Sequence, residues 1–414
     1  MNSIYQLLEI QSHTQSISFE KNHLKNCDHQ NRFRKVLRYQ DNNRSVNING
    51  EQETTLDSMI DKAKLLVPHG QSIEYEIRQE LDPRPFSFAT NSYLDSLDLN
   101  SMINMGQIVV EKVTNTFNDL ACDIKISKLT RNVSLQTSAG REYKFPLHDF
   151  SVSSLVTGCE EDDILFFASG LNQPIKNLDP IDQFSDELIL HLDLTKNLVE
   201  IESGTYPVIF HPQLVQQSLF EVINTGFNPV NLENGSSPLL NKIGDKILNA
   251  SIHLSQSGTH FPLDFNGYSS ESCSIIKAGV LNYIPIAPQI SKTLNQPITG
   301  SNFNGSWFPD LKLHSGTKNF NELIKEVDHG IYLVMSGDLV MGNILQGDMS
   351  GTIQAGFLIE NGEIKGRIKN RSLGFNFYEV LGDSLLGLSQ ESMRFGGSHF
   401  TESPYVLVDD IRIS

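Results

Sequence analysis

The segment closest to a metal-hydrolase pattern is His211-Pro212-Gln213-Leu214-Val215-Gln216. Zinc hydrolases place two ligands on one helix with an acidic residue beside them, usually as H-E-x-x-H or a close variant. Here a single histidine stands where a strand is expected to lead into a helix. Its neighbour is proline rather than a general base, and no second histidine or cysteine follows within a turn or two. Taken alone, His211 is therefore expected to be a structural residue.

A second polar constellation runs from Thr259 through His260 to Gly267. Asp264 and Asn266 are two residues apart and are closed by Gly267, a pattern typical of an Asx turn, in which the carboxylate accepts hydrogen bonds from the following backbone. A role in binding a metal or a substrate is the alternative. The spacing predicts the turn and leaves the functional role open.

Other catalytic motifs are missing from the sequence. A nucleophile elbow needs G-x-S-x-G, and the run from Gly347 to Gly351 displaces its serine by one position, so it is expected to form a β-turn. The phosphate-binding patterns G-x-x-x-x-G-K-[ST] and G-x-G-x-x-G are absent. The glycines at 396 and 397 precede an expected strand, so they lack the helix dipole that would hold a phosphate.

Composition narrows the class of partner. The chain has 414 residues and a formal net charge of −17, which disfavours general binding to nucleic acids or anionic membranes because both are polyanions. A local basic cluster at residues 32–38 is expected to be a solvated strand face.

The four cysteines form no CxxC pair, which excludes a sequence-local zinc knuckle and suits a reducing cytoplasm. We expect no signal peptide, because the N-terminal residues lack a basic region followed by an apolar one. We expect no membrane-spanning helix, because no 18-residue apolar run occurs.

Hydrophobic periodicity predicts an N-terminal half that mixes strands and helices. Period-two patterns predict strands within 14–50 and an antiparallel meander from residue 120 onward. Helical spacing predicts three helices: 54–67 with Thr54 or Thr55 as its N-cap, 96–118, and 184–197 with Ser185 as its cap.

The second half is expected to be richer in β-structure. A helix at 212–224 begins at a proline, which favours the first helical position. Short β-runs follow, with short helices at 318–328 and 375–383. Asn-Gly at 361–362 predicts a tight hairpin. The expected fold class is α+β, with an N-terminal α/β domain at 1–205 and a C-terminal β-rich domain at 206–414.

The order of several weak features in the second half resembles the TldD/PmbA family, historically called modulators of DNA gyrase. Each piece alone is unspecific, whereas the order and spacing are specific, and the likeness extends weakly into the first half. The matching residues are Asp264, Asn266 and Gly267; Gly279, Val280 and Leu281; Thr299 and Gly300; Pro309 and Leu311; Gly330, Ile331 and Tyr332; Gly347, Asp348 and Ser350; and Gly356 with Glu360 to Glu363.

The resemblance implies one of two roles. TldD-like chains carry H-E-x-x-x-H, with a later cysteine as a further zinc ligand, and act as metalloproteases. TldE/PmbA-like chains lack these residues and assemble with a TldD-like partner. The resulting heterodimer encloses a proteolytic chamber that admits unstructured peptides.

This sequence is similar to the second branch. His211 matches the first motif histidine, Pro212 replaces the glutamate and Gln216 replaces the second histidine, while the ligand cysteine has no counterpart near the C-terminal end. The resemblance therefore implies no zinc in this chain, no catalytic residue and no protease activity when it is isolated. A different metal site that joins His399 to His211 is an alternative with little support.

Two functions remain at this point. The first is a non-catalytic, peptide-guiding subunit with a TldD-like partner. The second is a stand-alone homodimeric binding protein that takes a peptide or another ligand and has lost protease activity. In either case neither nucleic acid nor a membrane is expected as a partner. The residues expected to line a chamber, by their match to relatives, are His211, His260, Asp264, Asn266, Gly267, Gly396 and His399.

Overall fold

The computed structural model describes residues 3–82, 92–160, 163–172, 177–257, 262–269, 272–299, 308, 310–396 and 400–414. Within them the fold is mixed α/β and rich in strands, which confirms the predicted class. Two sheets dominate, one built from the first 172 residues and one built mostly from the second half.

The first sheet is an antiparallel array of seven strands in the order β4-β3-β2-β1-β5-β6-β7. Sequence neighbours pair with each other throughout, apart from the pairing of β1 with β5. The strands are β1 (Ile4–Glu20), β2 (His23–Asp41), β3 (Arg44–Gly50), β4 (Gln71–Ser72), β5 (Ala121–Thr137), β6 (Glu142–Glu160) and β7 (Asp163–Asn172).

Helices α1 (Leu56–Leu66), α2 (Ser92–Ser96), α3 (Leu99–Thr116) and α4 (Asp179–Leu194) accompany this sheet. Thr55 caps α1, as predicted, by accepting a hydrogen bond from the Ser58 backbone N–H. The apolar face of α1 packs over one end of β1 to β3, and α3 packs over the other end of β1 and over β5. One stretch of the same sheet face lies between the two helices.

Two N-terminal predictions need correction. Strand β1 begins ten residues before the predicted strand at 14, because the adjacent Leu7 and Leu8 are both buried, on opposite faces of the sheet, and interrupt the alternation by which strands are recognised. Helix α4 begins at Asp179 rather than near 184, and Ser185 lies inside it. The Ser185 hydroxyl donates to the Ile181 carbonyl at 2.8 Å and caps nothing.

The second sheet has twelve strands, of which ten follow the order β12-β11-β10-β13-β19-β9-β14-β15-β16-β8, with β17 and β18 attached to its sides. The strands are β8 (Leu198–Val199), β9 (Gly204–Phe210), β10 (Leu254–Gln256), β11 (Cys273–Lys277), β12 (Val280–Leu281), β13 (Asp310–Leu313), β14 (His329–Met341), β15 (Asp348–Glu360), β16 (Glu363–Ile368), β17 (Ser372–Asn376), β18 (Leu385–Gly396) and β19 (Phe400–Ile413).

Among the described residues of the second half there are five α-helices, namely α5 (Pro212–Gly226), α6 (Pro229–Glu233), α7 (Ser291–Leu294), α8 (Phe320–Lys325) and α9 (Phe377–Val380). The predicted hairpin is confirmed, since Asn361 and Gly362 have φ of 52° and 73° between β15 and β16. The turn predicted at 347–351 is wrong in extent. Only Gly347, with φ of 83°, is in a turn, and β15 begins at the next residue.

The second sheet is the middle layer of the molecule. Alternate residues of its central strand β9 enter different cores: Val208 and Phe210 pack with α5, whereas Ile209 packs with α3, α4 and the first sheet. Both faces of the sheet are therefore buried. No helix among the described residues is both long enough and apolar enough to cross a membrane.

Candidate functional site

His211 lies at the junction between the central strand β9 and helix α5. Its backbone N–H donates to the Leu333 carbonyl at 2.9 Å, which continues the pairing of β9 with β14. Its own backbone is extended, and Pro212 is the first residue of α5. The predicted strand-to-helix junction is confirmed, and it holds the His211 side chain at the N-terminal end of the helix.

Both ring nitrogens of His211 have partners. Nδ1 accepts from the Gln213 backbone N–H at 3.2 Å, so the side chain itself caps α5. Nε2 lies 2.8 Å from a carboxylate oxygen of Glu187 on α4. Because Nδ1 accepts, Nε2 carries the proton and donates it to this carboxylate. The histidine is only 4% exposed.

Helix α4 supplies two polar residues one turn apart, Glu187 and His191. The His191 Nε2 atom lies 3.0 Å from the hydroxyl of Tyr332 on β14. The His191 ring stacks on Phe357 with centroids 6.2 Å apart and meets the edge of His211 at 5.8 Å. Tyr405 of β19 packs edge-on against His211 at 5.5 Å. These side chains form a buried network of polar groups enclosed by aromatic rings.

Burial sets the protonation states in this network. It lowers the pKa of His191 to about 4, so His191 is neutral at pH 7. Burial raises the pKa of Tyr332 and of Tyr405 well above the ordinary value, and both phenols stay protonated. Burial is the largest single effect on Glu187 and raises its pKa, but the hydrogen bond from His211 and the electrostatic effects of His211 and His191 together lower it, so the carboxylate stays ionised.

Other residues of the His211–Gln216 segment also form hydrogen bonds inside the fold. The Gln216 side-chain amide donates to the Met393 carbonyl of β18 at 2.8 Å, and Gln216 is 5% exposed. The Ser403 hydroxyl of β19 donates to the Pro212 carbonyl at 3.0 Å. The residues at the positions of the zinc-binding motif therefore do not fit zinc. They are one imidazole whose two nitrogens already have partners, a proline and a side-chain amide.

Asp264, Asn266 and Gly267 form the predicted Asx turn. One Asp264 carboxylate oxygen accepts from the backbone N–H of Asn266 at 2.8 Å and of Tyr268 at 2.9 Å. Gly267 has φ of +85°, and a Cβ there would come within 2.8 Å of a Leu81 methyl carbon. The local geometry is therefore that of a rigid, buried turn.

This turn contacts the first sheet. The Asn266 carbonyl accepts from the Gln6 side chain at 2.8 Å, and the Asn266 amide oxygen accepts from Arg38. The turn thus contacts β1, β2 and Leu81, whereas His211 contacts α4, β14 and β19. A role of the turn in lining a chamber stays a prediction.

The remaining predicted site residues lie near the hairpin of β18 and β19 or outside the described residues. Gly396 ends β18 and pairs with Phe400 of β19. His260 and His399 lie outside the described residues. The structure brings the His211–Gln216 segment together with β18 and β19. Sequence reasoning missed Glu187 and His191, although their spacing of four residues in a predicted helix places them on one face.

In the part of the chain that is described, no group of three or more histidine, cysteine, aspartate or glutamate side chains is placed to hold a metal ion. The arrangement around His211 can fix an ionised carboxylate and a neutral imidazole inside the protein.

Comparison with known proteins identifies the relatives. Residues 203–414 match the family model of the PmbA/TldA metallopeptidase C-terminal domain. A metalloprotease of Archaeoglobus fulgidus is 25% identical over 223 residues, 51% of this chain and 52% of that protein. A zinc metalloprotease TldD homolog of Saccharolobus solfataricus is 30% identical over 195 residues, 44% and 43% of the two chains. The chain spans about half the length of these curated relatives.

The fold has a solved counterpart over nearly its whole length. TldE from Thermococcus kodakarensis superposes with a TM-score of 0.86 over 99% of this chain and 96% of that one, at 16% identity. At this identity the likeness establishes the fold, while the family model covers about half of the sequence. The chain belongs to the PmbA/TldD family of metallopeptidase-related proteins.

Proposed function

We propose that this chain is the non-catalytic subunit of a two-chain zinc metallopeptidase that degrades or processes unstructured peptides. The observation that carries the proposal is the state of His211. The position that matches the first zinc ligand of catalytic relatives uses both ring nitrogens inside the fold, one on the Gln213 N–H and one on Glu187.

The neighbouring positions support the same conclusion. Gln216, which replaces the second ligand, donates to a backbone carbonyl, and Pro212 has no group that takes a proton from a water molecule. Zinc and its general base would therefore come from a TldD-like partner that carries H-E-x-x-x-H. The retained fold is explained if this chain completes the peptide chamber of that partner.

An extended peptide needs a strand edge or a groove that pairs with its main chain. In the described structure the outer edge of β2 from His23 to Arg34 has no strand beside it, since β3 pairs only with Lys35 to Asp41. Hydrogen bonds to the peptide main chain at such an edge tolerate many peptide sequences. This mode of binding therefore suits substrates whose common property is that they are unstructured. The net charge of −17 disfavours DNA as the partner.

The test is reconstitution. We expect this chain and an H-E-x-x-x-H relative from the same host to co-purify in equal amounts with one zinc ion per pair. The pair should cleave a labelled unstructured polypeptide, and this chain alone should not. Replacing the partner's motif glutamate with glutamine should lower the rate by about 10²–10⁴-fold, the usual contribution of a general base.

The matched control is Glu187→Gln in this chain. Its amide oxygen still accepts from His211, so the fold is kept, and the rate of the pair should stay within about twofold because no proton transfer passes through this residue. A loss as large as that of the partner's variant would contradict the proposal. Self-association without a zinc-bearing partner would instead support a stand-alone binding protein.

A further inference from the structure

Two histidines meet on the long hairpin formed by β1 and β2. The strand register places His13 directly opposite Asn31, and His29 is the next residue of β2 on the same face. All three side chains are solvent-accessible, unlike the buried network around His211. The family resemblance gives no role to this part of the chain.

The donor atoms of these residues converge. His13 Nδ1 lies 2.7 Å from the Asn31 side-chain oxygen Oδ1, and His29 Nε2 lies 3.1 Å from the same oxygen. Two ligands at right angles around a metal ion, each about 2.1 Å from it, are about 3.0 Å apart, and two at the tetrahedral angle are about 3.4 Å apart. The observed distances lie closer to the right-angle value.

Two lysines of the surrounding sheet face have oxygen partners. The residues lie on the sheet face between α1 and α3. On that face Lys35 is paired with Glu9 at 2.8 Å. Lys128 of β5 donates to the carbonyls of Asp95 and Leu97. The positive charge of each lysine is thus already directed to an oxygen atom.

We propose that His13, His29 and Asn31 form a surface site for a divalent transition-metal ion that favours tetragonal nitrogen and oxygen ligands, Cu²⁺ or Ni²⁺. Two imidazole nitrogens and an amide oxygen supply three ligands of such a coordination sphere, and water supplies the rest. Binding moves the proton of each imidazole to its other nitrogen, Nε2 of His13 and Nδ1 of His29. No proton is lost from a neutral ring.

The competing interpretation is a plain hydrogen-bond cluster in which Asn31 accepts from both rings. It predicts no metal affinity beyond that of isolated surface histidines. Calorimetric titration of the untagged full chain with Cu²⁺, in the presence of a weak competing chelator, distinguishes the two interpretations. Electron paramagnetic resonance then reports how many nitrogen atoms ligate the metal.

We expect one Cu²⁺ per chain with two coordinated nitrogens. Removing a residue that only hydrogen-bonds to a metal ligand lowers metal affinity by about 10–100-fold. Removing a ligand itself, as in His13→Ala or His29→Ala, should therefore lower the affinity at least about tenfold. His23→Ala, on the same hairpin and outside the cluster, is the matched control and should bind as the unaltered chain does. Asn31→Asp should retain the site because a carboxylate oxygen is also a ligand.

The proposal is overturned if the His13→Ala/His29→Ala double variant binds Cu²⁺ with unchanged affinity, or if the spectrum shows at most one coordinated nitrogen. Circular dichroism verifies that each variant keeps its β-structure. Since the hairpin site is separate from the His211 network, failure here leaves the proposed subunit function intact.

Discussion

Replacing His191 with glutamine should reduce the pH dependence of the stability of this protein. In the fold His191 is 2% exposed, contacts the Tyr332 hydroxyl and stacks on Phe357. Burial lowers the pKa of its imidazole to about 4. Glutamine keeps a hydrogen-bonding group near Tyr332 and does not titrate, so the variant isolates the effect of the imidazole.

The sign and size follow from proton linkage. An unfolded histidine has a pKa of about 6.5, so below that pH the unfolded chain binds a proton that the folded chain does not. The free energy of unfolding therefore falls as pH drops from about 6.5 to about 4. A difference of about 2.5 between the two pKa values corresponds to about 3 kcal/mol. The Glu187 contribution lies lower, because its folded pKa is depressed and is lost only as pH falls through it.

The assay is urea unfolding followed by circular dichroism at several pH values between about 7 and 4 for the unaltered chain and for His191→Gln. The glutamine variant is less stable at neutral pH, where it lacks the ring stack, and the two curves should converge as pH falls. Taking the difference removes the contributions of the other titrating groups. Two parallel curves, with a constant difference over this range, would refute the reasoning.

Four further substitutions test other contacts. His211→Ala leaves the Glu187 carboxylate, 27% exposed, without its donor and removes the cap of α5, so unfolding free energy should fall by about 2–4 kcal/mol, measured by urea. Gly267→Ala should cost about 2–3 kcal/mol and Gly140→Ala about 1, since both have positive φ but only the first Cβ meets a neighbour. Gly106→Ala gains about 1 kcal/mol of helix propensity but drives a methyl into the buried Phe19 ring, for a net loss of about 1.

Each of these has a clear contrary result. Unchanged stability in His211→Ala would mean that Glu187 is solvated when its partner is removed. Equal losses at the two turn glycines would mean that the Asx turn moves away from the first sheet at little cost. A net gain at Gly106 would mean that α3 shifts to accommodate the methyl group.

Local signals predicted much of the fold. Thr55 before a 3.6-residue stripe, a proline that begins α5 and the Asn-Gly pair at 361–362 each act through bonds to near neighbours in sequence. Their effect is therefore visible in a short window. The start of α4 was missed because no N-cap side chain marks it, since Leu178 occupies that position without a capping hydrogen bond.

The site was harder to predict because its partners are distant in sequence. Glu187 meets His211 across 24 residues, and His191 meets Tyr332 across 141. Nothing local shows that a carboxylate on one helix will satisfy a histidine that precedes another. The turn at Asp264 shows the same limit: its internal hydrogen bonds were predicted, whereas its contact with Gln6, 260 residues away, was not.

The position of β19 affects the order in which the protein can fold during synthesis. In the first sheet the strands from β1 to β7 pair within the first 172 residues, so that sheet can form while the ribosome is still translating the rest. The second sheet cannot, because β19 lies between β13 and β9 and joins both. Until Phe400–Ile413 emerges, β9 has one edge open, because β14 pairs only with its other edge. The second sheet is therefore completed by a late, long-range strand insertion.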